Sequence, residues 1–78
     1  MNVFVERGIT HLDLHTVRHH DADEQVLDFV YEYQEDIPLI IICGNSNRMI
    51  NITKEILSKN DIIFSYEPRY GIVRIESL

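Results

Sequence analysis

The sequence predicts an α/β fold: a two-layer α/β sandwich of order βαβαββ, with a small mixed four-stranded sheet and both helices on one face. Three observations predict it. A strictly alternating segment near the N-terminus and a continuous β-branched run in the middle are each followed by a stretch of helical periodicity, and two short apolar runs close the chain. At 78 residues the chain has room for one domain, so residues 1–78 are read as a single unit with a core of about 9–78.

Each element follows from its residues. Ile9 to His15 alternates apolar and polar positions, placing Leu12 and Leu14 on one side of a strand and His11, Asp13 and His15 on the other. From about His19 or His20 to Asp36, Ala22, Val26, Phe29, Val30, Tyr33 and Ile37 recur as one helical stripe. The opposite side carries Asp23, Glu24, Asp28, Glu32 and Glu35, read as a solvated face, and the acids of the first turn suit the positive end of the helix dipole. Pro38 closes that segment, and Leu39 to Cys43 reads as a strand buried on both sides. Gly44-Asn45-Ser46-Asn47 is a polar turn leading into a second helix marked by Met49, Ile52, Ile56 and Leu57, which ends near Lys59. Ile62 to Tyr66 and Ile72 to Ile75 are two strands joined across Glu67-Pro68-Arg69-Tyr70-Gly71. Val3-Phe4-Val5 fits a further short strand or an arm equally well.

Composition narrows the function classes. The longest apolar run, Leu39 to Cys43, is far below the roughly 18–20 residues of a membrane span, and no basic region precedes an apolar stretch at Met1, so no membrane partner is expected. The lone Cys43 has no intramolecular disulfide partner and suits a reducing, cytoplasmic setting as a buried thiol. The net charge of −6 argues against a free-standing nonspecific binder of long nucleic acid. Yet nine of the 13 acids lie in residues 1–37, and residues 38–78 carry five cations against four acids, which leaves room for a local anion site.

Two segments fall where ligands gather in open α/β sheets, at the carboxyl ends of the parallel strands. The first holds Asp13 and His15, an acceptor and a group titrating near neutrality, suited to general acid–base work. The second is Gly44, Asn45, Ser46, Asn47 and Arg48, where a helix N-terminus and a guanidinium favour an anion; a polar turn that merely caps a helix has the same composition. His11, Asp13 and His15 together also raise a divalent metal, without any complete ligand signature. No cofactor is predicted.

Leu12-Asp13-Leu14-His15 resembles the L-D-L-H signature of small MutS-related (Smr) domains, and the order of elements is similar to that family over about residues 9–78. The apolar positions Ala22, Val26, Phe29 and Val30 and the closing Gly71-Ile72-Val73-Arg74-Ile75 match the family's first helix and final strand. The resemblance implies nucleic-acid binding and endonuclease activity, either cleavage of RNA or nicking of structured DNA, with the ribosome or a larger complex as a further partner. Asp13 and His15 fall on the residues associated with cleavage, and Gly44 with its neighbours on the binding loop. The family's second motif, H-G-x-G or T-G-x-G, becomes Cys43-Gly44-Asn45-Ser46 here, and the glycine that follows L-D-L-H becomes Thr16. Intact Asp13 and His15 fit a nuclease. Altered Thr16, Cys43 and Ser46 fit the alternative, a non-catalytic module of the same fold that binds RNA, the ribosome or a protein.

Overall fold

A computed structural model describes residues 1–78. It holds five strands and two helices: β1 (Val3–Glu6), β2 (Ile9–Asp13), α1 (Ala22–Glu32), β3 (Leu39–Ile42), α2 (Asn47–Lys59), β4 (Ile63–Tyr66) and β5 (Ile72–Ser77). The sheet is mixed, in the order β1-β2-β3-β5-β4, with β2 and β3 parallel and every other pair antiparallel. The two-layer α/β arrangement with both helices on one face is as the sequence predicts, and the strand count is corrected from four to five. The added strand is Val3–Glu6, which pairs with β2 through a two-residue turn in which Arg7 and Gly8 have φ of 53° and 78°. Two successive positive φ values give the twist that a tight antiparallel hairpin needs.

The boundaries also shift. β2 stops at Asp13, two residues before the alternation ends, because the Asp13 carboxylate takes the His15 backbone N–H out of the ladder. The first helix runs only to Glu32; a short 3₁₀ turn, Gln34–Asp36, finishes the predicted segment before Pro38. His19 and His20 are exposed, on a 3₁₀ turn, His19–Asp21, that leads into α1.

The core lies between the sheet and the helix layer. Leu12, Leu14, Leu39, Ile41, Val73 and Ile75 meet Ala22, Val26, Phe29 and Val30 of α1 and Met49, Ile56 and Leu57 of α2, all buried. Each large side chain in that set contributes about 1.5–3 kcal/mol by leaving water. Thr53, the one fully buried polar residue, accepts the Cys43 thiol at 3.6 Å, so Cys43 is a core thiol. The other sheet face has no helix over it; by register it presents Phe4, His11, Ile40, Ile42, Ile72 and Arg74. No helix is long and apolar enough to cross a membrane.

Candidate functional site

The parallel pair β2–β3 ends at Asp13 and Ile42, and the Leu14 N–H extends the ladder by donating to the Ile42 carbonyl at 2.8 Å. Just past that point the chain folds back on the Asp13 carboxylate. Oδ1 accepts the His15 backbone N–H at 3.0 Å and lies 2.8 Å from His15 Nδ1. An ionised carboxylate only accepts, so Nδ1 carries a proton toward Asp13 and Nε2 is the ring nitrogen left without a partner. The Asp13 side chain is 19% exposed and that of His15 60%, which shields the orienting carboxylate and opens the imidazole to solvent. Burial pushes the Asp13 carboxyl upward, but the backbone N–H, the ring N–H and the charge of His15 outweigh it and hold Asp13 below its ordinary value.

The second loop lies against this dyad. Gly44 has φ of 75°, and a Cβ there would come within 3.2 Å of His15 Cβ, so glycine lets the loop and the histidine pack together. Ser46 is the N-cap of α2 and accepts the Met49 N–H at 3.1 Å. The N–H groups of Asn47 and Arg48 donate to nothing in the chain and point out of a 13-residue helix, at its positive end. Asn45 is exposed beside them. Arg48, by contrast, lines a cleft with His19, His20 and Lys59 between the 3₁₀ turn and α2 and forms no ion pair.

A third segment completes the site, and the sequence reading did not include it. The β4–β5 connection falls at the end of β3, because β5 runs antiparallel to it with Ile42 opposite Ile72. There the Cys43 N–H donates to the Gly71 carbonyl at 2.7 Å, and a Cβ on Gly71, whose φ is 84°, would stand 2.1 Å from the Gly44 carbonyl oxygen. The Tyr70 hydroxyl donates to Asn47 Oδ1. Tyr70 therefore stands at the N-terminus of α2, next in the chain to the Gly71 that packs on Gly44. Its only sequence signal is an aromatic next to a glycine in a connection whose position depends on strand order.

The structure does not bring His11 to Asp13 and His15. The His11 Nδ1 bonds to the Ile9 carbonyl at 2.8 Å, the ring stacks on Phe4 at 4.9 Å, and Nε2 faces Glu6 at 4.0 Å. No group of three or more His, Cys, Asp or Glu side chains is placed to hold a metal ion. Burial pushes the Cys43 thiol upward, with the Thr53 hydroxyl offsetting part of the rise, which is the opposite of what a thiolate nucleophile needs. No family model matches the chain, and neither a curated protein nor a solved structure matches it.

Proposed function

We propose that the chain is an RNA-binding domain of the Smr kind that cleaves a phosphodiester bond with the Asp13–His15 dyad. The 2.8 Å contact between His15 Nδ1 and Asp13 carries this reading, because it fixes the ring with Nε2 outward as a base. Nε2 takes the proton of a ribose 2′-hydroxyl, and the oxygen then attacks the adjacent phosphorus. The O2′–P bond forms as the P–O5′ bond breaks, and the departing oxygen takes a proton from water. Asp13 holds the imidazole in place and stabilises the imidazolium that forms. Charge on the phosphorane oxygens is met by the free N–H groups of Asn47 and Arg48 at the positive end of α2.

A second reading, a module that binds RNA, the ribosome or a protein without turnover, is favoured by the second loop. Cys43 faces Thr53 in the core and Ser46 is spent on the helix cap, so neither side chain is offered to a ligand. One assay separates the two. Purified protein and an Asp13→Ala/His15→Ala double variant are incubated with end-labelled single-stranded RNA, hairpin RNA, and nicked or branched DNA. Cleavage of RNA by the parent alone supports the nuclease, and binding by both without cleavage supports the module. Equal cleavage by both removes the dyad from the chemistry.

A further inference from the structure

At the β4–β5 connection lies a groove walled by Tyr66, Glu67, Pro68, Arg69 and Tyr70, with Ile50 of α2 at its edge. Tyr66 and Tyr70 are 56% and 61% exposed, the two most exposed of the chain's tyrosines and phenylalanines. Each ring has a polar partner, and Tyr66 also forms a T-shaped pair with Phe64 at 6.0 Å between centroids. Tyr70 is tethered through its hydroxyl to Asn47, and the Lys54 ammonium lies 5.5 Å from the Tyr66 ring centroid. The groove is lined by an anion as well as a cation, Glu67 and Arg69. Glu67 is tied to Arg74 at 3.5 Å, whereas Lys54 and Arg69 have no anionic partner. Exposed aromatic rings interleaved with free cations are what an unpaired nucleotide strand requires, since bases stack on the rings and phosphates follow the cations.

We propose that Tyr70 and Tyr66 form a base-stacking subsite that receives the unpaired nucleotides flanking the scissile phosphate, making single-stranded RNA the substrate class of the dyad. The inference builds on the nuclease reading and deepens it. The packing of Gly44 on His15 and of Gly71 on Gly44 joins the dyad to the segment that carries Tyr70. In a duplex the bases are already stacked on one another and present no free face to either ring.

The test measures binding apart from chemistry. A short fluorescein-labelled oligouridine and a labelled RNA duplex are titrated, by fluorescence anisotropy, against the His15→Ala protein and the same protein carrying Tyr70→Leu, Tyr66→Leu or Tyr70→Phe. Stacking predicts that each leucine variant weakens single-strand binding at least about fivefold, while phenylalanine, which keeps the ring and loses only the hydroxyl, stays within about twofold. The duplex should bind more weakly than the oligouridine. Circular dichroism melts confirm that each variant is folded. Unchanged binding in both leucine variants, or duplex binding as tight as single-strand binding, overturns the subsite. A loss in Tyr70→Phe equal to that in Tyr70→Leu also overturns it, assigning Tyr70 to the Asn47 tether alone. Cleavage by the unsubstituted chain is followed separately. If it persists in leucine variants that bind normally, the nuclease reading stands and the subsite falls; if stacking-dependent binding occurs without cleavage, the subsite stands as part of a binding module. Absence of both binding and cleavage in the parent overturns the two together.

Discussion

Gly71→Ala should be among the most damaging single-methyl additions available in this chain, and Gly8→Ala isolates the reason. Both glycines have positive φ, 84° and 78°, so alanine at either meets the left-handed penalty of about 1–2 kcal/mol. At Gly8 nothing lies within 4 Å of the new methyl, and that penalty is the whole effect. At Gly71 the methyl would sit 2.1 Å from the Gly44 carbonyl oxygen, where real contacts stay beyond 3.0 Å, so backbone must move by about 0.9 Å. That displacement breaks the 2.7 Å bond from the Cys43 N–H to the Gly71 carbonyl. Leaving a buried donor unpaired adds about 1–3 kcal/mol, for a total of about 2–5 kcal/mol. A domain of this length has a total stability of about 4–12 kcal/mol, so Gly71→Ala removes a large part of it. Urea denaturation followed by circular dichroism reads both variants against the parent. Losses at Gly71 and Gly8 equal within about 0.5 kcal/mol would refute the claim that the three segments at the site are packed backbone against backbone.

Gly44→Ala pushes its methyl to 3.2 Å from His15 Cβ, so the histidine gives by a few tenths of an ångström; RNA cleavage should fall roughly tenfold while oligouridine binding changes little. Asp13 is held below its ordinary 3.8, so it contributes stability that is present above that value and lost as pH falls through its lower folded value; urea midpoints taken down the acid limb should therefore drop more steeply in the parent than in Asp13→Asn. Cys43, 1% exposed and with its thiol pushed upward by burial, should react with a chromogenic disulfide only on unfolding; stoichiometric labelling of the native chain within seconds would contradict its placement in the core. Binding of single-stranded RNA should have a shallow salt dependence, a log–log slope of about −1.4 for the two free groove cations, Lys54 and Arg69, and a much steeper slope would put the strand elsewhere.

The parts of the molecule set by local pattern are legible in its sequence. Alternation in Ile9 to Leu14 and the stripe from Ala22 to Val30 place the right side chains in the core, because strand and helix each repeat with a fixed period. What escapes is decided by side chains competing with backbone or by distant pairing. β2 ends at Asp13 because one carboxylate captures a backbone N–H, and no periodicity encodes that. β1 is ambiguous because its turn is Arg7-Gly8, and an arginine at positive φ does not announce a hairpin as asparagine would. α2 opens at Asn47, since Ser46 is the cap, which puts Arg48 one position inside the helix and on the cleft shared with His19 and His20. Tyr70 reaches the site only because β5 inserts between β3 and β4, a pairing across 30 residues that no local window contains.

That same insertion resolves the tension between an acidic chain and an anionic substrate. Asp23, Glu24, Asp28 and Glu32 are exposed on α1, the crossover between β2 and β3, while the groove lies at the β4–β5 edge of the sheet beside α2. At physiological salt the field of a charge decays over about 8 Å, short against a molecule whose smallest extent is 23 Å. A phosphate in the groove is therefore governed by the charges beside it, Lys54, Arg69 and the Arg74-paired Glu67, more than by the net −6. Lowering the salt lengthens the reach of the α1 acids as much as that of the two cations, so the chain gains little affinity where an ordinary basic binder gains most. Tight binding must then come from stacking on Tyr66 and Tyr70, and it is confined to the few nucleotides that reach both rings. A long duplex, with its bases closed and its phosphates spread past the groove toward the acidic helix, is disfavoured on both counts.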